Sequence, residues 1–427
     1  MKYNLSAVTR ILLYTLLCLM LSGQSLLRAD EIPPPDSIIP PALFGMHIHR
    51  AASTTPWPSV SFKTWRLWDA NVAWPWLEPK KGEWNFRNLD KMVDLASSHG
   101  VEVLLPLGLS PGWASARPDE PSIYGRPGFA AEPKNIADWE NYVRTVATRY
   151  KGRIHCYEIW NEPNLKGFYS GSVAQMIYIV RDAYQILKEV DPSIIVVSPS
   201  ATGVGNGPDW LNEFLAEGGG GYADIIGYHF YVAPGSPEAV VPLINKVKSV
   251  MQKNNIDKPL WNTETGWLIA SKQSPVRPEP SGFKSKVLSD GEAEAYIARS
   301  YILNWAMGVE RLYWYAWDNG IMGFTEPDGR TVKPFAKAYS VIQKWLVGAR
   351  MTSCASDSDG VWTCALIRDG GYAAWIMWIP DKTVRMYVPE NWGVRYVKDL
   401  KGNRRAIDRA TKVEIGPSPV LLEKPAK

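Results

Sequence analysis

The chain has 427 residues, 46% of them hydrophobic and 21% charged, which is ample for a large core and excludes disordered, collagen-like and disulfide-scaffold classes. Its unusual feature is 20 Trp and 20 Tyr against 10 Phe, rings that can stack and hydrogen-bond at once, although a large core absorbs many of them. The formal charge is +4, and Lys2, Arg10 and Arg28 supply three of those charges within residues 1–29, so the remainder is nearly neutral and gives no electrostatic case for nucleic acid.

Residues 1–29 read as an export signal: Lys2 and Arg10 precede an apolar run over 11–21, a polar break at 22–25 and a cleavage position after Ala29. Leu27 fits the −3 position poorly, and the alternative is an uncleaved N-terminal membrane anchor, for which the run is short unless Leu26 and Leu27 extend it. Cys18 lacks small residues before it, which argues against a lipoprotein. After a Pro-rich lead, strand patterns are expected at 44–49, 64–71, 101–107, 155–161, 194–198, 225–231, 259–264 and 311–317. Helical patterns are expected at 86–98, 136–150, 173–190, 237–254, 292–307 and 334–346, with capping boxes at Ser172/Gln175 and Ser289/Glu292 and Pro237 opening its helix. Eight alternations over about 300 residues predict an α/β fold, a parallel (β/α)₈ TIM barrel over 30–348. A doubly wound open sheet is the alternative, but no Gly-rich phosphate loop follows the first strand.

From 349 to 427 the runs shorten to 361–368, 372–379, 383–388 and 394–398 between turn signals, which predicts a small β-sandwich domain. Cys354 and Cys364 flank a turn-rich stretch and suit a disulfide across a hairpin in an oxidising compartment, and Cys156 reads as a buried thiol. Two connections, 110–134 and 265–289, are too long for simple loops; both would stand on the barrel's C-terminal face and could wall a groove. Lys272, Arg277, Lys284 and Lys286 make the second basic, as a solvated loop also would be.

The chemistry-bearing residues close strands four and seven. Tyr157-Glu158-Ile159-Trp160-Asn161-Glu162-Pro163-Asn164 and Trp261-Asn262-Thr263-Glu264-Thr265 each place a Glu where barrel strands ring a pocket. Two facing carboxyls can hydrolyse a glycoside, one protonating the leaving oxygen while the other attacks the anomeric carbon. A separation of about 5–5.5 Å gives retention and about 6.5–9.5 Å gives inversion. An apolar Trp-lined setting and a second negative charge both raise the acid's pKa. Three imidazoles, His47, His49 and His229, could meet, but no metal-ligand spacing accompanies them, so no metal is expected and sugar hydrogen bonding suits them better. No Gly-x-Ser-x-Gly elbow marks a serine hydrolase.

The run Glu-Ile-Trp-Asn-Glu-Pro-Asn at 158–164 resembles clan A retaining glycoside hydrolases, and within them family 39. The resemblance covers the barrel from 44 to about 346 and extends less closely to the tail. It implies a barrel with a β-sandwich, Glu162 as acid/base, Glu264 as nucleophile and Asn161 bonding the sugar 2-hydroxyl, with no cofactor. It also implies Arg66 as the arginine steadying the nucleophile, His229 and Tyr231 as groups touching it, and Trp317 as a sugar platform. Trp160, His47 and His49 are supporting candidates, and Glu158 is expected as a buried partner of Arg66. Some family members are periplasmic endoglycosidases encoded with exopolysaccharide (Psl-type) assembly machinery. The expectation is an exported, monomeric, retaining β-glycosidase acting within a polysaccharide of the exopolysaccharide or biofilm kind, periplasmic or secreted, with inner-membrane or export-machinery association open. The alternatives are an exo-acting β-xylosidase or β-glucosidase and, from another class, a non-catalytic polysaccharide-binding or assembly protein.

Overall fold

The computed structural model describes residues 30–274 and 286–426. The segment 1–29 and its predicted signal lie outside the described residues, as do Arg277 and Lys284 of the basic connection. Among the described residues no helix is long and apolar enough to cross a membrane.

All eight expected barrel strands are present. Strand one is Phe44–His47, two Thr64–Arg66, three Glu102–Leu107, four Cys156–Ile159, six Ile226–His229, seven Leu260–Thr265 and eight Val309–Trp314. Strand five comes in two pieces, Ile195–Val197 and Ala201–Thr202. The break falls at Pro199, which has no N–H for the ladder. Neighbouring strands pair in parallel in chain order, strand eight returns to strand one (Leu312 opposite Phe44), and Val197 bridges Ile225 across the break, so the barrel is closed. Strands one, two, four, six and seven are buried at every position, as a sheet wrapped by helices requires.

Helices Arg87–Ser98, Ile136–Arg149, Val173–Val190, Val240–Lys253, Asp290–Ala306 and Phe335–Leu346 match the predicted set, and both capping boxes form. Pro237 opens a 3₁₀ turn, Pro237–Ala239, ahead of its helix. Two connections stand out. The connection from strand one to strand two carries no helix: Ser53, Thr54 and Thr55 all donate to the Arg50 carbonyl, and Pro56 and Pro58 stop a helix from following. A helix at Gly207–Ala216 was not predicted; its ten residues start at Gly-Pro and are too few for a clear periodic signal.

The second domain is a seven-stranded antiparallel sheet and a two-stranded one, Val384–Tyr387 with Lys412–Ile415. Its edge strand is Asp30–Ile32, paired antiparallel with Arg350–Ser356, so the described chain starts in this sheet and not in the barrel. Cys354 and Cys364 face each other across the first hairpin and are bonded, while Cys156 is free and buried. Arg368 donates to the carbonyls of Lys344, Trp345 and Val347, capping the barrel's last helix at 2.9–3.1 Å. Glu238 binds Trp378 at 2.8 Å and Arg299 at 3.1 Å, a second tie between the domains. Fourteen of the 20 Trp are buried, so the aromatic excess is mostly core.

Candidate active site

Glu162 and Glu264 stand at the C-terminal ends of strands four and seven, and only 8% and 7% of their surfaces are exposed. The chain reaches Glu162 through left-handed backbone, with φ of 72° at Trp160 and 45° at Glu162, a conformation that strains residues other than glycine. Its neighbours hold it there: Trp160 N–H donates to Leu107 O at 2.7 Å, and Glu162 N–H to Ser200 O at 2.9 Å, in the break of strand five. Trp160 itself is fully buried, with its indole N–H on Phe168 O at 2.9 Å and its ring against Trp139 and Tyr169. It supports the turn and does not line the pocket.

Arg66, from strand two, organises the centre and all five of its N–H groups are used. It donates to Glu158 Oε2 at 2.6 Å and Oε1 at 3.1 Å, to Glu264 Oε2 at 2.7 Å, to Asn161 Oδ1 at 2.7 Å and to His47 Nε2 at 3.1 Å. Because Nε2 of His47 must accept, its proton sits on Nδ1 and bonds Trp314 O at 3.1 Å. Asn161 spends its carbonyl on Arg66, which leaves its amide NH₂ as the group to donate. Tyr231 O–H donates to Glu264 Oε1 at 2.9 Å. His229 Nδ1 lies 2.9 Å from Glu162 Oε1 and 3.9 Å from Glu264 Oε1, so it serves Glu162 first.

Burial raises both carboxyls, each to about 7, with Arg66 pulling each of them back. Their partners separate them. Glu264 holds a guanidinium and a phenol O–H, both of which favour its anion. The single cation of Arg66 is already shared by Glu158 and Glu264, so a third buried anion at Glu162 would be uncompensated and the proton belongs there. Burial lowers His229 to about 4, so it is neutral and donates Nδ1–H to Glu162 Oε1. The other Glu162 oxygen is then the one that carries the acid proton. One oxygen of each carboxyl and a ring nitrogen of His229 lie within 4.8 Å of one another. A dication could span that distance, but it would sit beside a guanidinium fixed 2.7 Å from Glu264, which opposes it. Two carboxyls this close, one ion-paired and one neutral, can act as an anion and a proton donor on the same bond.

The remaining candidates divide. His49 packs by Tyr315, and its backbone N–H donates to Asp318 Oδ1 at 2.8 Å, so the three imidazoles do not converge on one point. Trp317 is 3% exposed and stacks on Phe324 at 5.5 Å, so it offers little surface for a platform. Cys354 and Cys364 belong to the second domain. The reading of the sequence missed Tyr315, whose ring lies 5.2 Å from His47 and whose O–H donates to Asp69 Oδ2 at 2.6 Å. The signal was the strand's end: strand eight stops at Trp314, three residues before the predicted 317, so Tyr315 and not Trp317 is the first residue at the pocket. Tyr124, on the long 110–134 connection, was also missed. That connection is pinned by Arg117 between Glu120 at 3.0 Å and Glu132 at 2.6 Å, and by Ile123 N–H on Gly167 O at 3.1 Å.

Comparison with known proteins agrees with this geometry. The model of the family described as Glycosyl hydrolases family 39 matches residues 77–310, more than half of the chain. The chain is similar to a beta-xylosidase from Geobacillus stearothermophilus, 26% identical over 140 residues, covering 31% of this chain and 27% of that protein. It is also similar to endo-1,4-beta-xylanase 2 from Arabidopsis thaliana, 23% identical over 189 residues, covering 43% of this chain and 14% of that protein. The chain therefore spans less than a third of either curated relative's own length. A solved family 39 glycoside hydrolase from the gut symbiont Bacteroides cellulosilyticus WH2 superposes with a TM-score of 0.70 at 21% identity, over 91% of this chain and 82% of that one, a likeness of fold. From the family match, the chain belongs to glycosyl hydrolase family 39.

Proposed function

We propose that this chain is a retaining β-glycosidase that cleaves within a β-linked polysaccharide, an exopolysaccharide, outside the cytoplasm. The observation that carries the reading is the pair itself: Glu162 and Glu264 each bring an oxygen within 4.8 Å of the other, on the side of the about 5–5.5 Å spacing of retaining enzymes and not of the about 6.5–9.5 Å of inverting ones. Glu264, held anionic by Arg66 and Tyr231, attacks the anomeric carbon. Glu162 donates its proton to the departing glycosidic oxygen. Asn161 donates its amide N–H to the 2-hydroxyl of the sugar in transit. In the second step Glu162, now a carboxylate, takes a proton from water, and that water releases the sugar from Glu264 with its configuration retained. The chemistry uses side chains alone.

Support for endo action comes from the length of the 110–134 connection, which brings Tyr124 to the cavity lined by Trp68 and Trp76. Its Ile123 N–H bonds Gly167 of the strand-four connection. The β-xylosidase among the relatives favours a second reading, an exo-acting enzyme that releases single sugars. The bonded Cys354–Cys364 pair supports an oxidising compartment, and the apolar run at 11–21 supports export, with the segment either cleaved or kept as an anchor. The test is reducing-end release and product size over a panel of β-linked polysaccharides, alongside Glu162→Gln and Glu264→Gln. Oligosaccharides lost in both variants establish the endo reading. Single sugars establish the exo one. Binding with no cleavage of any member would leave a polysaccharide-binding protein.

A further inference from the structure

Strain and unpaired polar atoms gather at one place beside the catalytic pair. Among the described residues, six other than glycine have left-handed backbone, and five of them are Asp69, Asn71, Leu109, Trp160 and Glu162. Such positions cluster where function fixes the chain. Asp69, Asn71 and Leu109 line a cavity of about 100 Å³ between the connections after strands two and three, with Trp68, Trp76 and Tyr124. This volume suits a hydroxyl or hydroxymethyl group. It adjoins the centre already described: the Arg66 guanidinium lies 5.8 Å from the Trp68 ring, and Asp69 Oδ2 holds Tyr315, whose ring packs on His47.

Two polar groups meet there. Asp69 is exposed, lines the cavity and has a φ of 54°; Tyr315 takes one oxygen, and the other has no hydrogen-bond partner among the described residues. The Tyr124 hydroxyl is sealed from solvent and has no hydrogen-bond partner among the described residues. Its ring is fixed edge-on to Trp68 at 6.0 Å and to Phe168 at 5.8 Å. Burial first, and then the carboxylates of Asp69, Glu162 and Glu264, hold its phenol well above the ordinary tyrosine range. A buried donor so placed needs a partner that the protein does not supply.

We propose that Asp69 and Tyr124 form the polar end of a side pocket that receives a hydroxyl of a neutral sugar, Asp69 accepting and Tyr124 donating, and that rejects uronic acids. The proposal rests on the glycosidase reading. Rejection follows from charge: a sugar carboxylate would face Asp69, while Arg66 has all five N–H groups committed and Arg50 is engaged by Asp318.

The probes are cellohexaose, xylohexaose and the β-1,4-linked glucuronate hexamer, with binding measured by calorimetry in the Glu264→Gln background and cleavage measured with the wild type. A neutral hexamer should bind at least about 100-fold more tightly than the glucuronate. Asp69→Asn, which keeps the bond to Tyr315 and tolerates the same backbone, should narrow that preference at least about 10-fold. Tyr124→Phe should weaken neutral binding about 10-fold with an unchanged melting temperature. A preference that Asp69→Asn leaves intact overturns the pocket, as does failure of all three hexamers to bind. Cleavage by the wild type with no effect of either variant on preference overturns the pocket while the glycosidase reading stands. The expected binding pattern without cleavage does the reverse.

Discussion

Replacing Glu162 by Gln should stabilise the protein in alkaline solution and do nothing comparable in acid. The folded carboxyl is raised from its ordinary 4.5 to about 7, chiefly by burial. A raised acid binds its proton more tightly folded than unfolded, so between those two values the folded state holds the extra proton and stability falls as pH rises. The full cost is reached above about pH 7 and amounts to about 3 kcal/mol, while below about pH 4.5 it vanishes because both states are protonated. Glutamine cannot ionise, and its amide oxygen still accepts from His229 Nδ1, so the variant keeps the bond and escapes the cost. With an unfolding entropy of about 2 cal/mol/K per residue, this gain is a rise of about 4 °C in melting temperature. Melts of both proteins at pH 4, 6 and 8 should show a difference that opens with pH. A difference constant in pH, or one that closes toward pH 8, would refute the placement of a buried neutral acid at Glu162.

Other outcomes follow from the same centre. Activity should be bell-shaped in pH, with the alkaline limb near 7 where Glu162 loses its proton. Arg66→Met removes the cation that favours the Glu264 anion, so the acid limb should move to higher pH with a large loss of kcat; an unmoved limb in the remaining activity would detach Arg66 from the nucleophile. Trp317→Phe should keep activity within about 3-fold, whereas Tyr315→Phe, which loses the Asp69 bond, should cut kcat/KM about 10-fold on neutral oligosaccharide; the reverse order would restore Trp317 as the platform. Cys354→Ser with Cys364→Ser should lower stability by about 3 kcal/mol, read as a lower denaturant midpoint, since the bond closes a loop between residues 10 apart.

The barrel was legible because its strands are short apolar runs that alternate with helical patterns, and the two glutamates because each ends such a run. Glu158, placed by strand parity beneath Glu162, does pair with Arg66. What was not legible depends on geometry that periodicity does not carry. Trp160 and Glu162 share a turn in which the backbone goes left-handed, which sends the indole into the core and the carboxyl into the pocket. Composition alone treats both as pocket residues. Trp317 failed for a different reason: a strand end misplaced by three residues exchanges one aromatic for another. Tyr124 lies on a long connection with no repeating pattern, and only the folded path brings it beside Trp68 and Phe168.

The strand Asp30–Ile32 has a consequence for the order in which the molecule assembles. Its partner begins at Arg350, so the first described residues wait for nearly the whole chain before they find a ladder. Synthesis runs from the N-terminus, and this edge is therefore the last sheet contact that the growing chain can close with its own beginning. Until then the amides of Asp30–Ile32, and those of Arg350–Ser356 that face it and not Trp362–Arg368, remain open to exchange with water. Their protection would mark the moment at which the barrel has finished and the two ends have met.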